Sequence, residues 1–259
     1  MSVIPKKKYK EYEMFKGLVP TILVMNDAWY LPYVLESLRG RFKRYVIYDA
    51  GSEDGTLDVI DWFTETENAE FFVRKLPFCI PKVQGCYRNS MMVEAESEWT
   101  FMVDGDEIYS REALDTLSGN FGLINNVDKP LYGVVSRREM DTNLLHKYSE
   151  DKPHHRLYRR SAYFTGNHPG EAPRYKQKPS NEFAGCMREV LCHHFHNALR
   201  SPLEGSVPKR LDRKSQGTYH PGELIPFDLL EELPILRKPI ESFQVSPDLE
   251  KLQHVFSKV

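Results

Sequence analysis

Two acidic segments carry the chemistry available to this sequence. One is Asp104-Gly-Asp-Glu107, three carboxylates within four residues, directly behind the apolar run Phe101-Met-Val103. Like charges crowded at the end of a buried strand repel each other unless something positive sits among them; a hard divalent cation with oxygen ligands is one solution. The other is Asp49-Ala-Gly-Ser-Glu-Asp-Gly-Thr56. It fails as a calcium loop, because the sixth and twelfth positions, which need glycine and glutamate, hold Asp54 and Ile60. As a strand-to-helix turn it works: Gly51 and Gly55 permit tight backbone geometry, and Ser52 or Asp54 can cap the helix that follows.

A third concentration of reactive groups lies late in the chain. All nine histidines fall after residue 145, three of them in Cys192-His-His-Phe-His196. On a strand His194 and His196 share a face, whereas His193 and His194 do not. A zinc site from Cys186, Cys192 and these histidines is the competing reading, but its spacing fits no standard zinc pattern.

The elements that position these groups alternate between strand and helix. Thr21–Met25 is a short apolar run, followed by Asn26 and Asp27 as helix-entry residues and by Leu31, Val34, Leu35 and Leu38 at helical spacing, with Gly40 as the stop. Arg44–Tyr48 is a second strand, Asp54-Gly-Thr56 opens a second helix, and Glu70–Val73 is a third strand. A helix over Tyr87–Glu96 leads to a fourth strand, Trp99–Val103. This rhythm predicts a mostly parallel α/β sheet, in which ligands gather at the carboxyl ends of the strands. The second half is less regular, with strands expected at Leu131–Val135, Arg156–Arg159 and Glu189–Cys192. From Pro202 onward recurrent prolines predict a wrapped tail with one short helix near Phe227–Leu233.

Bulk properties set the outer bounds. The 259 residues, 41% hydrophobic and 28% charged, can bury a sizeable core. A net charge of −2 gives no global reason to expect nucleic acid or anionic membrane. Basic blocks at Lys6, Lys7, Lys8 and Lys10 and at Lys209, Arg210, Arg213 and Lys214, with Tyr9, Tyr12 and Tyr219 interleaved, leave a local nucleic-acid surface open. No signal peptide or membrane span is read, and the four cysteines form no CxxC pair, so a cytoplasmic protein, at most peripheral to a membrane, is expected.

Taken in order, VMND (Val24–Asp27), DAGSEDGT (Asp49–Thr56), YRNSMMVEAESEW (Tyr87–Trp99) and DGDE (Asp104–Glu107) resemble the family-two glycosyltransferases with the GT-A fold. The resemblance covers about residues 20–110. It implies a GT-A type α/β fold: a single domain over 18–200, with a nucleotide-sugar-binding half (18–110) and an acceptor-side half (111–200), and a Pro-rich extension over 201–259. It further implies an inverting hexosyl or pentosyl transfer from a nucleotide-sugar, UDP-linked, to an acceptor hydroxyl. Asn26, Asp49, Gly51, Ser52, Arg88, Asn89 and Asp104 would line the donor pocket, with Asp49 at the uracil. Asp106, Asp104 and His194 would hold Mn²⁺ or Mg²⁺.

A weaker part of the resemblance, RLYRR (Arg156–Arg160) followed by TGNHPGE (Thr165–Glu171), implies Glu171 as general base, with Glu107 as second choice. Expected acceptors are glycans or lipid-linked surface-polysaccharide precursors, or, as an alternative, hydroxymethylated bases of viral DNA. Two other classes stay open. A nucleotidyltransferase shares such a sheet, but Met25–Trp29 lacks the glycine-rich loop it needs. A non-catalytic nucleotide-sugar-binding module would keep the fold without turnover.

Overall fold

The structure, a computed structural model, describes residues 15–77, 83–125, 132–141, 143–165, 172–175, 184–203, 223–241 and 243–256. The expected alternation is realised as β1 (Leu18–Val24), α1 (Leu31–Leu38), β2 (Arg44–Asp49), α2 (Thr56–Thr66), β3 (Glu70–Lys75), α3 (Gln84–Glu94) and β4 (Trp99–Asp104). Strands β1, β2 and β4 are buried almost end to end, as apolar runs covered on both faces of a parallel sheet must be. Helix α1 carries Pro32 in its first turn and is followed by Gly40 at φ +72°, a left-handed stop that favours glycine.

The second half supplies β5 (Glu107–Tyr109), α4 (Arg111–Asn125), β6 (Tyr132–Glu139), β7 (His146–Tyr148), β8 (Lys152–Arg159), β9 (Ala162–Thr165), β10 (Ala172–Tyr175), β11 (Ala184–His194) and β12 (Leu224–Pro226). After these come α5 (Leu229–Glu232), a 3₁₀ turn (Pro234–Arg237) and α6 (Pro247–Phe256). Eight strands form one sheet in the order β3-β2-β1-β4-β8-β6-β11-β5. The first four are mutually parallel, a Rossmann-like half. Beyond them β8 runs antiparallel to both neighbours, β11 runs parallel to β6, and β5 closes antiparallel. This is the expected mixed α/β sheet with an irregular second half, consistent with a GT-A-like architecture.

The short strands β5, β7, β9, β10 and β12 were not expected, and two helices depart from expectation as well. Helix α4 was not anticipated, although Ala113, Leu114, Leu117 and Phe121 form its buried stripe. Nor was the tail limited to one short helix: α6 starts on Pro247, a position where the missing N–H has no intrahelical partner to lose. Leu230, Leu236 and Leu249 join the same buried cluster as Ile22, Val34 and Phe101, so the tail contributes to the main core. Among the described residues no helix is long and apolar enough to cross a membrane.

Topology places the chemistry. From β1 the chain winds outward through β2 and β3, then returns through α3 to β4 on the other side of β1. The crevice at the carboxyl ends of β1 and β4 is therefore a topological switch point, where open α/β sheets bind ligands. The register brings Asp49 opposite Val24 and Asp104 opposite Leu23, so both acidic loops leave the sheet at nearly the same level.

Candidate functional site

The loops after β1 and β2 are stitched together by side chains. Asn26 adopts φ +55°, its backbone N–H donates to Ser52 Oγ (2.9 Å), and its Oδ1 accepts from the Glu53 N–H (2.9 Å). The Asp27 N–H donates to Thr56 Oγ1 (2.9 Å) and the Ala28 N–H to Asp54 Oδ2 (3.2 Å). Within the second loop, Gly51 at φ +85° lets the chain turn back so that Asp49 Oδ2 accepts from the Gly51 and Ser52 N–H groups (3.2 and 3.1 Å). The other oxygen, Asp49 Oδ1, is buried with no hydrogen-bond partner among the described residues. A buried carboxylate oxygen left this way is costly, and a ligand N–H is the complement it lacks.

Three arginines answer the charge of the acidic loop. Asp104 takes Arg88 at Oδ1 (3.2 Å) and Arg156 at Oδ2 (2.7 Å). Burial works to raise its pKa, but Arg156, Arg88 and the nearby histidines together hold it well below the usual carboxylate range. Glu107 is fully buried: Oε1 accepts from Arg156 and lies 2.9 Å from His154 Nε2, while Oε2 accepts from the Asp104 N–H (3.2 Å). Burial leaves its pKa raised in spite of Arg156. Glu107 was the second choice of base, yet with no exposed surface and both oxygens engaged it presents none to an acceptor. It fixes Arg156 and the turn backbone instead. Asp106, also buried, is bound by Arg200, which lies 3.3 Å from Asp27 Oδ1 as well. Burial raises the pKa of Asp106, and Arg200 followed by His194 and His196 brings it down to about 2.

Between these loops Gly105 lies against Asp27. A Cβ at Gly105 would meet Asp27 Oδ2, Cγ and Cβ at 2.7, 2.8 and 2.9 Å, so the two loops approach as closely as a glycine allows.

The histidine strand completes the site. On β11 His194 is flanked in register by Glu107 of β5 and Glu139 of β6. Its Nδ1 sits 2.8 Å from Glu139 Oε2, which leaves Nε2 facing Asp106 Oδ2 at 3.6 Å. Burial lowers the His194 pKa, but Glu139 and Asp106 outweigh it and the net shift is upward. His196 stacks on His194 with ring centroids 5.2 Å apart. Burial and then His194 push its pKa down to about 3, so its ring is neutral and keeps a lone pair at physiological pH. As alternation requires, His193 points the other way, stacking on Phe227 and lying 3.5 Å from Glu232 of α5.

Among the described residues two groups of side chains bring ligating atoms within 4.8 Å of one another: Asp106 with His194 and His196, and Asp104 with Glu107 and His154. In the second, the His154 Nε2 is already spent on Glu107 and both carboxylates are taken by arginines. The first has the better chemistry for a metal, with one carboxylate and two imidazoles, one of them oriented by Glu139 in the manner of a ligand supported from behind. That donor set suits Mn²⁺ better than Mg²⁺, which prefers oxygen. Of the expected metal ligands, Asp106 and His194 thus come together, while Asp104 falls in the other group. No cysteine joins either group among the described residues.

Other expected site residues have different surroundings. Asn89 spends its amide on the backbone of Phe164 in β9, accepting from its N–H (2.6 Å) and donating to its C=O (2.9 Å). Glu171 and His168 lie outside the described residues, as do both basic blocks and the Cys186 side chain. Arg156, Arg200, His154 and Glu139 were not anticipated as site residues. His154 and Arg156 do share a strand face, a period-two signal that points them together at the acidic turn.

No family model matches the sequence. It is similar to the SPbeta prophage-derived glycosyltransferase SunS of Bacillus subtilis (strain 168), 28% identical over 91 residues, which are 35% of this chain and 20% of that protein. The glycosyltransferase SunS of Bacillus phage SPbeta matches to the same extent. The match therefore spans about a fifth of the length of these curated relatives. Among solved structures, S. aureus TarS 1-349 in complex with UDP-GlcNAc is 13% identical, covering 93% of this chain and 71% of that one with a TM-score of 0.49. TarS 1-349 without ligand gives 14%, 93%, 72% and 0.48.

Proposed function

We propose that this chain is a glycosyltransferase that moves a sugar from a UDP-linked donor to an acceptor hydroxyl with inversion, assisted by Mn²⁺ or Mg²⁺. One observation carries the reading: the loops after β1, β2 and β4, with the Arg200 and His194 segments, converge on one switch-point crevice and are bonded to one another there. The shared stretch with relatives named as glycosyltransferases supports it.

In this reading Asp49 Oδ1 accepts an N–H of the nucleobase, for which the uracil imide is the complement. Arg88 and Arg156 hold Asp104 ionised at the head of the crevice. Asp106, His194 and His196 would hold the cation, with Glu139 fixing the His194 ring. When bound, the cation neutralises charge developing on the leaving diphosphate. Glu171 remains our assignment for the carboxylate that takes the acceptor proton. The acceptor is a glycan or a lipid-linked surface-polysaccharide precursor.

The test is thermal stability against a panel of nucleoside diphosphates and nucleotide-sugars, with and without Mn²⁺. A ligand that binds the native state raises its stability, by about 2.7 kcal/mol at a hundredfold excess over Kd. A metal-dependent shift with uridine nucleotides, lost in Asp106→Ala, is expected. If no nucleotide shifts the wild-type protein with Mn²⁺ present, the donor-site reading fails.

A further inference from the structure

Arg200 occupies the ground a cation would need. Its guanidinium binds Asp106 Oδ2, the oxygen that His194 Nε2 faces from 3.6 Å, and it reaches Asp27 Oδ1 at 3.3 Å. The main chain around it is held by both donor loops: the Arg200 carbonyl accepts from the Trp29 N–H (3.0 Å), and Ser201 Oγ donates to Asp54 Oδ2 (2.6 Å). The backbone is fixed, and the long side chain is the part with rotamers to spare.

A divalent cation on Asp106, His194 and His196 and a guanidinium on the same Asp106 oxygen are mutually exclusive in practice. They compete for one anionic atom, and at such separation two positive charges repel strongly in a buried setting. Without nucleotide, releasing Arg200 from Asp106 would take away its tighter carboxylate contact and leave it, with Asp27, beside an arriving dication. With nucleotide, the added diphosphate supplies a replacement anion, one that a planar guanidinium binds well.

We propose that Arg200 is an internal counter-cation that locks Asp106 and makes divalent-metal binding conditional on a nucleoside diphosphate. This rests on the metal site of the functional reading above. It adds an order to that site: the metal and the diphosphate bind as a cooperating pair, because each helps displace the same ion pair. By reciprocity, the metal must tighten the nucleotide by the same factor as the nucleotide tightens the metal.

The experiment is a Mn²⁺ titration of the full chain, followed through the electron paramagnetic resonance signal of free aqueous Mn²⁺, with and without UDP. Wild type is compared with Arg200→Gln, which keeps a polar amide donor but carries no charge, and with Arg200→Ala; circular dichroism establishes that each is folded. Wild type is expected to bind Mn²⁺ at least about tenfold more tightly with UDP than without, since a charge-assisted bond must be exchanged. Arg200→Gln is expected to bind Mn²⁺ about tenfold more tightly than wild type without UDP, with a correspondingly smaller UDP effect. Should Arg200→Ala not fold, the glutamine variant carries the test. Equal or weaker Mn²⁺ binding by the variant without UDP, in a protein that still binds Mn²⁺ with UDP, overturns the lock and spares the metal site. Absence of Mn²⁺ uptake by wild type under both conditions overturns both.

Discussion

Gly105→Ala is the sharpest perturbation the geometry offers, because it adds one methyl group and nothing else. The new Cβ would stand 2.7–2.9 Å from three atoms of Asp27, closer than non-bonded carbon and oxygen tolerate. Relief by rotating Asp27 is blocked. Its Oδ2 accepts from the Met25 N–H (3.0 Å), its Oδ1 faces Arg200 (3.3 Å), its N–H is held by Thr56, and its carbonyl accepts from the Leu31 N–H at the start of α1 (2.9 Å). Overpacking at such a site costs about 1–3 kcal/mol. For a chain of this size that lowers Tm by roughly 2–12 °C.

The same argument prescribes its own control. In an Asp27→Gly background all three close contacts vanish, so adding Gly105→Ala should cost almost nothing. The double-mutant cycle, read by reversible denaturant unfolding, should then show a coupling of about 1–3 kcal/mol. An Asp27→Ala background retains the 2.9 Å Cβ contact and should relieve only part of the strain. Additive effects in the glycine background would refute the reasoning, because the cost would then arise from the backbone of Gly105 and not from its approach to Asp27.

Three further outcomes follow from the charge and hydrogen-bond network. Arg156→Ala removes the shared partner of the partly exposed Asp104 and the fully buried Glu107, and should destabilise by about 3 kcal/mol in thermal unfolding; Arg156→Lys, which cannot fork between two carboxylates, should recover only part of it. Asn89→Ala leaves the N–H and C=O of Phe164 without their partner, which should cost about 1–3 kcal/mol and speed hydrogen exchange at the Phe164 amide, whereas unchanged exchange would exclude the clamp. In Asp49→Asn the amide oxygen keeps the Gly51 and Ser52 N–H groups and an NH2, which only donates, takes the unpartnered Oδ1 position, so calorimetry should show weakened uridine-nucleotide binding, by about tenfold, with metal affinity measured alone unchanged.

What could be read in the sequence divides along lines of contact range. Strands β1, β2 and β4 were legible because a strand buried on both faces must be an unbroken apolar run, and each ends at a residue that breaks the run: Val24 before Met25-Asn-Asp27, then Asp49 and Asp104. From there the parallel order alone sets both aspartates at the same edge of the sheet. Helix α4 was hidden by its exposed face, where Ser118, Gly119 and Gly122 dilute a buried stripe that is itself regular. Helix α6 was hidden by a proline, whose meaning depends on whether it falls inside a helix or at its first position.

Arg88 was named from its motif, but the site roles of Arg156 and Arg200 were not legible, and the reason is physical. Arg156 meets Glu107 across 49 positions and Arg200 meets Asp106 across 94, so no local pattern ties either pair together. Many surface arginines of this chain look the same in sequence; what separates these two is burial beside carboxylates, which only the folded sheet creates. Yet the charge argument already required them in kind. Three carboxylates at the end of a buried strand demanded positive charge, for which a divalent metal was one expected answer. The structure answers first with guanidinium groups on Asp104, Glu107 and Asp106. Of these, the Arg200 pair alone lies on the carboxylate grouped with two stacked imidazoles, where a dication could take its place. In the proposed lock, protein cation and metal cation would be rivals for one oxygen, and a bound nucleoside diphosphate would be the ligand whose charge decides between them.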